Sequence, residues 1–401
     1  MSIAAVCRSV SSARAVRRLG AVALAAAVTV GLSACGGGNQ VNKFTPGKIV
    51  SFGDELSYIG SQSVPSGSGT SLLMGQKFGV NYVAKSIAYY NGSSQVTDST
   101  LIADLANDTY TSPTYALDDT LTSQLFSVTE SSQDNAGYTR LKATLWSCAS
   151  SARLWNQVLA ASYGLGFKSQ CPTDASGANT YAAVGAKVAD VLAQFAAHRS
   201  ELGSTTLVTV WVGQNDVLEQ LALYKTTPSN LEAYKAELKA RGERLGQAIN
   251  GLLSTGAKVL LVTVPDLSKA PGAAGYTTVA NELTQAFNSG LIGLNGVVND
   301  GTKIGLVKAY DLIKDIVENP ANYGSINVTR AMCDTTALKT PTGNASSSLL
   351  DCVYDASGIG GTTVSGATLE NHLWAGDYIL APLGQAKIGA LAYTRLANNP
   401  F

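Results

Sequence analysis

Two histidines, His198 and His372, are present in the whole chain, so any proton relay through an imidazole must use one of them. His198 closes a predicted helix just ahead of Arg199-Ser200-Glu201 and is expected to be solvated there. His372 stands two residues before Trp374, in a late segment that also holds Asp377. Near the start, Asp54 and Glu55 are adjacent and Ser57 follows. A serine mechanism needs a hydroxyl, a base within hydrogen-bond reach and a group that orients the base. Ser57 lies two residues past Glu55, so on a helix it would point well away from it. Carboxylates offer two other chemistries. Glu55 and Asp377 could act as general acid and base, as in glycoside cleavage. Asp54, Glu55, Asp216 and Asp377 could gather a hard cation such as calcium. Neither is the preferred expectation.

The elements that must position these residues alternate between short apolar runs and helical patterns. That alternation argues for a parallel sheet covered by helices. Candidate strands are 49–52, 206–212 (TLVTVWV), 258–264 (KVLLVTV) and 305–310. Candidate helices are 186–198, 230–254, 279–291 and 386–396. The segment 61–147 is rich in Ser, Thr, Gly and Asp and reads as inserted loops and small strands. Trp146, Trp155, Trp211 and Trp374 read as core residues.

The first strand runs into Gly53-Asp54-Glu55-Leu56, and here the chain resembles the SGNH (GDSL-type) ester hydrolases. In that family a first strand ends in Gly-Asp-Ser-Leu, whose serine is the nucleophile. Tyr181-Ala182-Ala183-Val184-Gly185 resembles the second family block, whose glycine amide serves an oxyanion hole. Gly213-Gln214-Asn215-Asp216 resembles the Gly-x-Asn-Asp block, whose asparagine donates to the oxyanion. Val264-Pro265-Asp266-Leu267 and the stretch from Asn319 to Cys333 add to the likeness, which spans about 48–401. It implies a three-layer α/β/α sandwich with a parallel sheet. It also implies a hydrolase site at the carboxyl ends of the strands.

Against that pattern the nucleophile position is Glu55. Anchored on Trp374 and Gly384, the acid position falls on Gly376 and the base position on Ile379. Isoleucine cannot accept a proton, and an acyl-glutamate is a poor substitute for an acyl-serine. Losing a triad costs ~10⁶ in turnover in well-studied serine hydrolases, with ~10³ over water left to the oxyanion hole and binding. Glu55 is therefore expected to fill the hole formed by Gly185 and Asn215, accepting hydrogen bonds from both. The expected protein is a catalytically impaired relative that binds a small acyl or glycan ligand or serves in structure. The alternatives are an active ester hydrolase rescued by His372 or Asp377, and a carboxylate-based glycan hydrolase.

Composition sets the surroundings. Arg8, Arg14, Arg17 and Arg18 precede an apolar run that ends in Leu32-Ser33-Ala34-Cys35, which matches the bacterial lipobox. Residues 1–34 are expected to be a lipoprotein signal, Cys35 the lipidated residue and 35–47 a flexible tether. Gly36 lacks the aspartate linked to inner-membrane retention in some enteric bacteria, so the outer membrane is the expected residence. Without the four early arginines the body has 24 basic against 28 acidic residues, and no basic stripe for nucleic acid. Cys148, Cys171, Cys333 and Cys352 remain for an oxidising compartment. Cys148–Cys171 and Cys333–Cys352 close the shortest loops, though four cysteines allow three pairings. No C-x-x-C pair marks zinc, and no resident metal or cofactor is expected. The sequence sets no oligomeric state.

Overall fold

The computed structural model describes Phe44 to Asn398, apart from most of 62–153 and 339–361 and residues 168–175, 299–301 and 325. Cys35, the signal and most of the tether lie outside the described residues, as do Trp146, Cys148 and Cys171.

Five strands form the central sheet: β1 (Lys48–Gly53), β2 (Ala178–Thr180), β3 (Thr206–Trp211), β4 (Lys258–Val262) and β5 (Ile304–Val307). Their order is β2-β1-β3-β4-β5 and every pairing is parallel. Such strands read as near-continuous apolar runs because helices cover both faces. Alternate residues of each strand accordingly enter two separate cores. Ile49, Leu207, Trp211, Leu260 and Val262 face one; Val50, Phe52, Val208, Val210 and Leu261 face the other.

Helices α1 (Trp155–Ala161), α6 (Ala309–Glu318) and α7 (Pro382–Asn398) supply the first core. Helices α2 (Val188–His198), α3 (Gln214–Thr226), α4 (Leu231–Leu252) and α5 (Thr277–Ile292) supply the second. The three-layer α/β/α sandwich is thus present. Trp155, Trp211 and Trp374 are fully buried, as expected.

The anticipated strands and helices appear with shifted ends. The fourth strand stops at Val307 rather than Tyr310, because Ala309 opens α6 and the Tyr310 amide donates to Thr263 Oγ1. Helix α3 was not anticipated, because the polar run Gly213 to Asp216 conceals its start. Between β1 and α1 the described backbone holds small antiparallel sheets: Ile59–Ser61 with Gln76–Phe78, and a four-stranded one within 86–145. A last parallel pair joins β6 (Asn327–Ala331) and β7 (His372–Trp374). The disulfide Cys333–Cys352 follows β6.

Candidate functional site

Chain order and sheet order part company at β1. The chain leaves β1 for β2 on one side and returns to β3 on the other, and a crevice opens beyond the strand ends at such a point. Glu55 sits in the turn that follows β1. The Asp54 amide donates to Trp211 O at 3.2 Å, and the Leu56 amide donates to Asp54 Oδ1 at 3.0 Å. Gly53, at the hinge, has φ of +149°, and a Cβ there would lie 2.1 Å from the carbonyl oxygen of Trp211. Gln194 of α2 brackets this glycine, accepting from its amide at 3.0 Å and donating to its carbonyl at 3.1 Å. Nothing in the sequence marked Gln194 for that task.

The Glu55 side chain is 6% exposed. Its Oε2 accepts from the Gly185 amide at 2.9 Å and from Asn215 Nδ2 at 2.8 Å. Gly185 lies in the turn after β2, and Asn215 in the first turn of α3. Asn215 Nδ2 also donates to Ala186 O at 3.1 Å, which ties that turn to α3. Asp216 holds the next residues: Oδ2 accepts from the Val188 amide at 3.0 Å, and Oδ1 pairs with Arg241 at 3.0 Å.

Asp54 is fully buried and its Oδ2 has no partner. Burial pushes its pKa well above the ordinary carboxylate range, and the neighbouring Glu55 and Asp216 charges push the same way. Asp54 thus holds its proton more tightly than a solvated carboxyl would.

Ser57 is sealed beneath the site, where its Oγ accepts from Trp155 Nε1 at 3.0 Å. A nucleophile must be free to reach substrate, and this hydroxyl is committed. His372 is also buried. Its Nδ1 donates to Asn371 Oδ1 at 2.7 Å, and burial, then the Arg330 charge, lowers its pKa. No described contact joins it to Glu55. His198 is not simply solvated. Its ring stacks on Tyr181 with centroids 3.4 Å apart, and Nδ1 meets Glu201 Oε1 at 2.8 Å.

The late segment is fastened on two sides. Gly272 donates its amide to Asp377 O at 2.9 Å, and Tyr378 donates its hydroxyl to Gly272 O. The Cys333 amide donates to Ala375 O at 3.0 Å, and the Ala375 amide to Ile379 O at 2.7 Å. Asp377 is exposed, and among the described residues no hydrogen bond or ion pair joins its carboxylate to Glu55. Ile379 packs against the apolar core around Trp374. Gly376 is buried, and a Cβ on it would come within 2.4 Å of Leu349 Cδ1. Leu349 is anchored in turn, because its carbonyl accepts from the amide of Cys352 at 3.0 Å and Cys352 is bonded to Cys333. The side-chain space an acid would need at this position is filled by leucine.

Among the described residues the site therefore presents two neutral donors aimed at one point. Such a pair stabilises negative charge on an oxygen. Here that oxygen belongs to the protein itself.

The sequence model of the GDSL-like Lipase/Acylhydrolase family matches residues 119–341, more than half of the chain. The matched span includes Gly185 and Asn215. It begins after Glu55 and ends before Gly376 and Ile379. No curated protein matches the chain.

Proposed function

Because the chain belongs to the GDSL-like lipase/acylhydrolase family, we propose that it is a cell-envelope lipoprotein whose hydrolase scaffold has lost catalysis and works by binding. The observation that carries this reading is the Glu55 carboxylate on the Gly185 and Asn215 donors. A substrate carbonyl must place its developing oxyanion where such donors converge. With Glu55 Oε2 already there, the incoming oxygen meets a like charge and no free donor. Three further features support the same reading. Ser57 is bonded to an indole, His372 to an asparagine, and Gly376 is packed against Leu349. A nucleophile and a base in reach of each other are what acyl transfer requires.

The envelope assignment rests on Leu32-Ser33-Ala34-Cys35 and the arginine-flanked apolar run before it. Several acyl chains on Cys35 would give a stable anchor where one would not.

The test combines turnover and labelling. Purified full-length protein should hydrolyse p-nitrophenyl butyrate no faster than about 10³ over the uncatalysed rate. It should take no label from a fluorophosphonate probe, and it should incorporate radiolabelled palmitate that Cys35→Ala abolishes. Robust turnover lost in His372→Ala would show an active hydrolase instead. Palmitate labelling that survives Cys35→Ala would remove the lipid anchor at that residue.

A further inference from the structure

Glu55 uses one carboxylate oxygen. Oε2 takes both hydrogen bonds, whereas among the described residues Oε1 accepts none. Both donors are neutral, so neither brings a full positive charge to the carboxylate. Among the described residues no cation pairs with Glu55, and the nearby cations are engaged elsewhere. Lys187 is paired with Glu219, and Arg241 with Asp216, Glu219 and Glu237. A buried carboxylate with no protein cation beside it is a place where a cation from outside can pair.

The turn that donates to Glu55 is open to solvent. Ala183, Val184 and Gly185 are exposed, and a Cβ built on Gly185 meets nothing within 4 Å. Val184 is 52% exposed and forms an apolar lip beside the Gly185 donor. Charge at the bottom and a small apolar edge at the mouth select one class of visitor.

We propose that the Glu55 site at the open Val184–Gly185 turn binds the N–H-bearing head of a small organic cation, with Oε1 as the acceptor and Val184 as the apolar edge. The donors on Oε2 fix the carboxylate, so the ligand meets an acceptor that is already oriented. Anionic and carbonyl ligands are rejected, because the oxygen they would bring is already supplied by Glu55. This inference rests on the catalytically silent reading above and names the ligand class of that same site.

A ligand-observed NMR titration of butylammonium chloride tests it, with full-length protein in neutral detergent at low ionic strength. Butylammonium should bind saturably to the wild-type protein, whereas butyrate, 1-butanol and tetramethylammonium should not. Glu55→Gln keeps the shape and removes the charge, and should weaken butylammonium at least about tenfold. Val184→Lys leaves both Oε2 bonds untouched at an exposed position and should also weaken it, by repulsion. Absence of saturation, or two variants that bind within about twofold of wild type, would overturn the proposal. Ester turnover by the wild-type protein would remove the silent reading whatever the titration gave. An inert protein indifferent to butylammonium would remove this inference alone.

Discussion

Asp54 and Glu55 are neighbours in sequence with opposite fates. Glu55 finds two donors for one oxygen, while Asp54 is sealed with an orphaned Oδ2. The raised pKa of Asp54, caused first by burial and then by the Glu55 charge, makes stability pH-dependent. The native state holds this proton where the unfolded chain has released it. Its contribution to stability is therefore greatest below the unfolded value of 3.8 and falls as pH rises from there through the native value. Asp54→Asn has no proton to lose and should flatten that decline. Chemical denaturation at pH 4 and pH 8 checks this: the variant should gain most at pH 8, and an equal shift at both would refute it. The contacts of Glu55 with Gly185 and Asn215 were readable because each stands at a strand end within a short motif, where backbone geometry leaves little choice. Leu349 was not readable. Its contact with Gly376 is set by a disulfide and by packing between distant segments, and no local pattern records that. The stack of His198 on Tyr181 was hidden for the same reason.

At the scale of elements, the site depends on how closely β1 and β3 approach at their carboxyl ends. Gly53 pairs with Trp211 in register, and only hydrogen fits between its Cα and the Trp211 carbonyl. Gly53→Ala adds a clash with backbone and a disfavoured positive φ at once. Each is a recognised source of loss, and together they should cost about 2 kcal/mol or more. Urea unfolding measures it; a loss under about 0.5 kcal/mol would mean that the turn relaxes freely. Four of the five central strands and four of the seven described helices were legible because apolar runs and helical spacing coincide there. Helix α3 was missed although Asn215 lies in its first turn, because capping polar residues resemble a loop when read without the sheet behind them. The fastening of the late segment to Gly272 had no sequence signal, since it uses a backbone amide and a Tyr378 hydroxyl across the fold.

For the molecule as a whole, two cores clamp one parallel sheet, and the polar site occupies the crevice where chain order reverses. A scaffold of this kind keeps its geometry whatever groups stand at its strand ends, because packing and not chemistry holds it. Reinstating the groups is therefore a fair test of the alignment. Glu55→Ser with Gly376→Asp and Ile379→His should stay nearly inert, since the new aspartate meets Leu349. Adding Leu349→Ala should raise p-nitrophenyl butyrate hydrolysis by about 10² or more over the three-substitution variant, the contribution expected of a positioned base. Equal activities in the two variants would show that Leu349 is no obstacle.

The leucine against Gly376 also gives the history of such a site a direction. Once an apolar neighbour has settled into the room that a shorter residue leaves, stepping back means moving two side chains together, and either step alone is penalised. The Leu349 carbonyl accepts from the amide of Cys352, which the disulfide ties to Cys333, so the backbone of this neighbour is held. Placing an acid at Gly376 therefore depends on a matching change at Leu349, and packing sets how accessible that pair of steps is.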